Sequence, residues 1–310
     1  MKFFERIIKK LYYESDTWSI GIYEGEELNK IEPSKYVINP ILKASDVVDC
    51  KARFVADPFI IKIKDKWYMF FEVYNEIKGK GVLAVATSNN GYKWCYEKII
   101  LEEDFHLSYP YVFEENNKIY MIPESGESGY IKLYEAKEFP FKWELVSNLI
   151  KGVYWDSSII KYDDKYWLFT NNNESYENSL YLFYSDNLYG GWTPHPRNPI
   201  INNNRYNCRP AGRIVENNDE IYRYSQDCSE YYGKSVIGYK IKTLTVSEYD
   251  EEEVGVIVKN SGSKNSWNKD GMHTVDNCKT NNNWLVAVDG FYIRKSTIIS
   301  KIRNKLNLLK

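Results

Sequence analysis

Long apolar runs are missing from this chain, and with them any segment long enough to cross a bilayer. Excess charge of one sign is missing too: 41 Lys and Arg oppose 43 Asp and Glu, so no global field draws the chain to nucleic acid. Cysteine is scarce. Cys50, Cys95, Cys208, Cys228 and Cys278 are odd in number and show no CxxC spacing, which argues against a zinc site. Cys208 and Cys228 fall within one stretch of the chain, but free thiols in a reducing compartment are the expected state. The opening Met1-Lys2-Phe3-Phe4-Glu5-Arg6 scatters charges among apolar residues and lacks the apolar core of a secretory leader. A cytoplasmic protein is therefore expected.

Aromatic residues are abundant instead. They reach 16% of the chain, with 28 Tyr and 9 Trp, the side chains that suit pleated, half-buried surfaces. They recur in register. Ala56-Asp57-Pro58 opens an apolar run that turns at Lys64-Asp65-Lys66 and returns as Trp67 to Glu72. The same pattern starts again at Tyr109, Asp156, Arg209 and His273, and returns through Glu124, Asn171, Gln226-Asp227 and Asp289. The heads are spaced by roughly 50 residues, which signals an array of like units. Each unit also has a second half: a strand, a Gly- or Pro-marked turn, then Trp94, Trp143 or Trp192. Those three Trp are expected to pack in the core of the outer strands.

Five units of four strands predict an all-β, five-bladed β-propeller. The blades are expected at about 56–103, 107–150, 154–203, 207–260 and 271–294. The last is short of strands, and Trp18 to Tyr23 reads as a spare third strand, so residues 18–24 are expected to complete it and close the ring. Residues 1–17 and 296–310 carry apolar stripes at helical spacing with Lys and Arg beside them, and predict basic amphipathic helices flanking an 18–295 propeller. Such helices either lie on an anionic membrane surface or pack on the propeller or a second subunit.

In a propeller, the start of each first strand and the end of each second strand share one face of the ring. Two rings of residues therefore surround one mouth. The inner ring is Asp57, Tyr109, Asp156, Arg209 and His273; the outer ring is Glu72, Glu124, Asn171, Gln226 with Asp227, and Asp289. Carboxylates converging on an arginine and a histidine perturb one another's proton affinity, as a reactive cleft requires. A water-filled polar mouth is the plainer alternative. Asp163-Asp164 falls in the turn far from the mouth, so a metal role is not expected there. His195, between two prolines, is expected to be surface structure, and His106 is left open between mouth and surface. Tyr74, Tyr109 and Trp155 are the aromatic candidates for stacking on a pyranose.

Asp57 in Ala56-Asp57-Pro58, with Asp156 two units later, resembles the five-bladed glycoside hydrolases of families 43 and 32. The resemblance implies a base or nucleophile at Asp57 and a helper at Asp156. It also implies a divalent ion such as calcium, or water, in the channel near His273. It fails at the fourth head, where Arg209 stands in place of the general acid; a guanidinium cannot supply the proton, so Glu124 or Glu72 would have to. A longer resemblance covers nearly the whole chain. Phe70-Phe71-Glu72, Phe105 to Val112, Ile122-Pro123-Glu124-Ser125, Arg209-Pro210-Ala211-Gly212 and Gln226-Asp227-Cys228 are similar to the N-terminal domain of the plant glucosamine inositolphosphorylceramide transferases. It implies a glycosyltransferase of cell-surface polysaccharide or glycolipid synthesis, with a sugar nucleotide as donor and a glycan, lipid-linked or not, as acceptor. On that view Asp57 deprotonates the acceptor, and Arg209, helped by Arg213 or His273, holds the diphosphate. A hydrolase, or a non-catalytic glycan-binding module serving a partner transferase, remains the alternative.

Overall fold

The computed structural model describes residues 12–172, 178–281 and 283–297. Two strands open the chain, β1 (Tyr12–Glu27) and β2 (Lys30–Pro33). Blade one follows as β3 (Ala52–Ile63), β4 (Lys66–Asn75), β5 (Lys80–Ser88) and β6 (Cys95–Leu101). Blade two is β7 (Ser108–Glu115), β8 (Lys118–Glu124), β9 (Tyr130–Glu138) and β10 (Lys142–Lys151). Blade three is β11 (Tyr154–Tyr162), β12 (Lys165–Asn172), β13 (Ser179–Ser185) and the short β14 (Thr193–Pro194). In blade four the inner strand is broken into β15 (Arg209–Pro210) and β16 (Val215–Asn217), both paired with β17 (Glu220–Asp227), which is followed by β18 (Ser235–Leu244) and β19 (Tyr249–Lys259). The last sheet runs β20 (Val275–Lys279), β21 (Trp284–Thr297), then β1 and β2. All pairs within the sheets are antiparallel. The five sheets form a five-bladed propeller.

Closure draws on the N-terminus, as the spare strand implies, but two strands are supplied rather than one. The long β1–β21 ladder joins the two ends of the ring and leaves β21 no edge of its own. The terminal helices need correction. Residues 12–17 belong to β1 and 296–297 to β21, paired from Tyr12 with Thr297 onward. Period-2 pairing with a long partner outweighs the helical spacing read there. The rest of both predicted helices, 1–11 and 298–310, lies outside the described residues.

Each blade is apolar on both faces, so the cores lie between blades. One cluster joins Phe59, Phe70, Tyr111 and Met121 across blades one and two, and another joins Ile22, Met69 and Leu285 across the closing seam. Each such side chain, fully buried, contributes about 1.5–3 kcal/mol. Trp94 and Trp143 are buried, and each indole N–H bonds a turn carbonyl three residues back, at 2.8 Å. Trp192 is only partly buried and its indole nitrogen has no partner. Asn116-Asn117, Asp163-Asp164 and Asn218-Asp219 all have positive φ at both residues, the conformation of two-residue hairpin turns. The acidic pair at 163–164 is explained by that turn.

Candidate active site at the channel mouth

Three of the five blade heads share one local device. Asp57, Tyr109 and Asp156 have φ of 52°, 45° and 48°, and at each the ladder skips, between Ala56 and Phe59, Ser108 and Tyr111, and Trp155 and Ser158. Each is a β-bulge carrying a left-handed non-glycine residue, a conformation that costs about 1–2 kcal/mol. The bulge re-aims the side chain toward the axis. Strain repeated at equivalent positions marks a place where the scaffold holds side chains against their preference.

Asp57 is the hub. Its Oδ1 accepts from the Thr274 hydroxyl at 2.9 Å, and its Oδ2 from the Tyr109 N–H at 3.2 Å. His273 Nε2 stands 3.5 Å from Oδ1. Behind it, Asp289 accepts from the backbone N–H groups of Asp57, His273 and Thr274 at 3.0, 3.1 and 3.0 Å, and from His273 Nδ1 at 2.7 Å. Asp289 therefore orients the imidazole and pins the closing blade to blade one. Trp18 of β1 covers the other face of the His273 ring, with centroids 4.0 Å apart. Burial raises the Asp57 carboxyl to about 6; His273 opposes the rise, while Asp289 and Asp156 reinforce it. Burial works against charging His273, but Asp289 and Asp57 outweigh it and its pKa rises.

Across the mouth, Asp156 accepts from Arg209 Nε at 2.5 Å and from Gln226 Nε2 at 2.8 Å through the same oxygen. The Arg209 guanidinium lies between the Trp155 and Tyr232 rings, 5.3 and 5.2 Å from their centroids, and its side chain remains 22% exposed. Glu124 is buried and accepts from Gly126 N–H at 2.7 Å and the Ser108 hydroxyl at 3.3 Å. Burial pushes its carboxyl up to about 8, against the Gly126 bond and with help from Asp156. Glu72 is raised well above the usual range by burial, then by Asp57 and Glu124. Its Oε1 is buried without a hydrogen-bond partner, 3.5 Å from His106 Nε2. His106 Nδ1 accepts from Gly81 N–H at 2.9 Å, so the neutral ring carries its proton on Nε2, facing Glu72. Near neutral pH Asp57 is thus mostly ionised and Glu124 mostly protonated, while burial favours the proton on Glu72 and the neighbouring carboxylates favour it on His273.

Four residues expected at the mouth have other occupations. Tyr109 is fully buried in the channel. Its hydroxyl meets Ser158 Oγ at 2.9 Å, accepts from Gly212 N–H at 2.5 Å and donates to the Gly212 carbonyl at 3.1 Å. It plugs the axis instead of offering a face to a sugar. Arg213 lies deeper, paired with Asp276 at 2.9 Å and donating to the Val112 carbonyl at 2.9 Å, so it ties blades four, five and two. Asp227 turns outward: Ser229 N–H and Oγ bond it at 2.9 and 2.5 Å, and Lys234 Nζ stands at 3.2 Å. Burial tends to raise its pKa, but these partners hold it below the usual value. Asp289 is fully buried and acts through His273. His195 is buried, not superficial, with Nε2 3.0 Å from the Thr245 carbonyl. Tyr74 donates to Gly79 O at 2.9 Å and stacks on Phe54.

Sequence reasoning missed Trp18, Thr274 and Tyr232. Trp18 and Thr274 reach the site through ring closure, and Tyr232 through a loop with no repeat counterpart. Among the described residues, Asp57, His273 and Asp289 could together offer ligand atoms to a cation. They do not fit one as arranged. The His273–Asp289 contact is a 2.7 Å hydrogen bond, and Asp289 is saturated by N–H donors, leaving no oxygen-lined cage of the kind calcium takes.

The fold is that of solved carbohydrate hydrolases. A glycosyl hydrolase from Bacteroides ovatus matches with a TM-score of 0.63 at 11% identity, over 87% of this chain and 96% of that one. A thermostable family-43 glycoside hydrolase matches at 0.58 and 14%, over 84% and 96%. At such identities the likeness concerns the fold. In sequence, glucosamine inositolphosphorylceramide transferase 1 of Arabidopsis thaliana is 34% identical over 281 residues, covering 84% of this chain and 37% of that protein. Its counterpart in Oryza sativa subsp. japonica is 33% identical over 296 residues, 88% of this chain and 40% of the relative. The chain thus spans about two-fifths of the length of these relatives. The family model described as glucosamine inositolphosphorylceramide transferase 1, N-terminal, matches residues 12–291, and the chain belongs to that family.

Proposed function

We propose that the mouth is a glycosyl-transfer centre acting on a sugar nucleotide and a glycan acceptor in cell-surface polysaccharide or glycolipid synthesis. The observation that carries this reading is Arg209 at the fourth blade head, held between two aromatic rings and braced by Asp156, where a hydrolase of this fold would carry its acid. A diphosphate leaving group needs its developing charge neutralised more than it needs a proton. Asp57 takes the proton of the acceptor hydroxyl as that oxygen bonds the anomeric carbon. The carbon–phosphate-oxygen bond breaks, and its electron pair goes to the diphosphate facing Arg209. Glu124, with its carboxyl pushed up to about 8, and Glu72, whose proton burial favours, offer donors rather than repelling charges to that anion. His273, fixed by Asp289 and Trp18, keeps Asp57 ionised.

A second reading follows from the length of the relatives: the propeller binds glycan for a transferase domain elsewhere. Thermal shift separates the two. Stabilisation by sugar nucleotides, lost in Arg209→Ala, supports transfer; stabilisation by glycans alone supports the binding module. In the transfer reading the protein works in the cytoplasm, with the basic stripes of 1–11 and 298–310 at the membrane that carries a lipid-linked acceptor. Salt-sensitive co-sedimentation with anionic vesicles supports that placement, and no binding at low salt refutes it.

A further inference from the structure

The face opposite the mouth carries its own cavity, about 640 Å³, in the seam between blade one and the closing blade. Its walls come from the β3–β4 turn region, the β5–β6 turn and the β20–β21 turn, all at the end of the strands remote from Asp57. We propose that this seam is a second, non-catalytic binding site for an acidic oligosaccharide.

Three features define the ligand. Lys62 and Lys279 both line the cavity and are exposed, and among the described residues neither meets a carboxylate. Lys62 Nζ lies over the Trp67 ring, 5.6 Å from its centroid; Lys279 Nζ donates to the neutral Asn217 Oδ1 at 3.0 Å. The carboxylate beside this cavity, Glu24, is bonded by the Tyr92 hydroxyl at 3.2 Å and pairs with neither lysine, so two cations against one acid suit carboxylate or phosphate groups on a ligand. Next, the side-chain amides of Asn89, Asn281 and Asn283 are exposed around the rim and supply paired donors and acceptors, the complement of sugar hydroxyls. Finally, the seam continues. Asn90 and Tyr92 are shared with a neighbouring cavity of about 390 Å³, where Tyr36 is 63% exposed and sits 5.1 Å from Tyr92, centroid to centroid. An aromatic face beyond a charged, amide-rimmed pocket fits several linked sugars rather than one. The seam is also firm, because Gly91 packs so closely on Leu285 that a Cβ there would fall 2.7 Å from Leu285 Cδ2.

The site is independent of the mouth, so its test does not depend on transfer chemistry. Tetragalacturonate is titrated calorimetrically at low salt, with maltotetraose as the neutral probe of equal length. The wild type should bind tetragalacturonate at least tenfold more tightly than maltotetraose. Lys62→Ala with Lys279→Ala should lower that affinity at least tenfold at unchanged melting temperature, and Asp57→Asn should leave it within twofold. Equal binding of both probes, undiminished binding by the double lysine variant, loss in Asp57→Asn, or no binding by the wild type would each overturn the proposal.

Discussion

At the scale of single residues, the mouth works by giving like groups unlike environments. Asp57 keeps two donors and the His273 ring beside it, whereas burial of Glu124 outweighs its two donors. In the proposed transfer reaction Asp57 as base must be ionised and Glu124 must keep its proton. The rate is therefore expected to rise as pH passes about 6 and to fall as it passes about 8; a stopped or coupled assay across pH 5–9 checks this. Stability carries the same signature. A carboxyl whose folded pKa is raised binds a proton more tightly folded than unfolded, so its contribution falls as pH rises from the unfolded value toward about 8. Glu124→Gln removes that penalty. Its melting temperature should exceed the wild type's by more than about 4 °C at pH 9 and match it near pH 4, measured by circular dichroism. Arg209→Ala should weaken a phosphorylated donor at least tenfold while changing affinity for a neutral oligosaccharide less than threefold, measured by calorimetry.

Elements explain why these residues meet. The repeat, the five heads, the two-residue turns and the spare strand were all legible, because period-2 alternation and paired turn residues are local signals. The bulges were not. Asp57, Tyr109 and Asp156 read as equal heads, yet tertiary packing makes Tyr109 a plug and holds the two aspartates, both buried, in hydrogen bonds and an ion pair around the cup. Asp227 was misplaced by one residue of register: its neighbour Gln226 points to Asp156, so Asp227 must point away. The fourth head departs furthest from the repeat. Its inner strand breaks at Gly212, φ 145°, whose backbone lies against Val275 so closely that a Cβ would come within 1.6 Å of the Val275 carbonyl oxygen. Gly212→Ala should cost more than about 3 kcal/mol, the scale of backbone strain with core displacement, and urea unfolding checks it.

The whole molecule is a ring closed by its own beginning, with an axis filled by side chains below one polar cup. That arrangement makes the cup blind: Tyr109, Arg213 and Asp276 occupy the path through the centre. In the proposed reaction a substrate enters and leaves by the same mouth, over Trp155 and the 42% exposed Tyr232. Near-zero net charge adds no long-range attraction for the anionic donor proposed above, so on that proposal recognition rests on Arg209 and His273 within the cup. The most direct test of the account is turnover of a panel of sugar nucleotides with glycan acceptors, read as nucleotide release, by the wild type and Asp57→Asn. The account predicts acceptor-dependent release by the wild type and a loss of at least about 100-fold in Asp57→Asn, the scale of a general base, with the melting temperature nearly unchanged. Release by Asp57→Asn at the wild-type rate would contradict it.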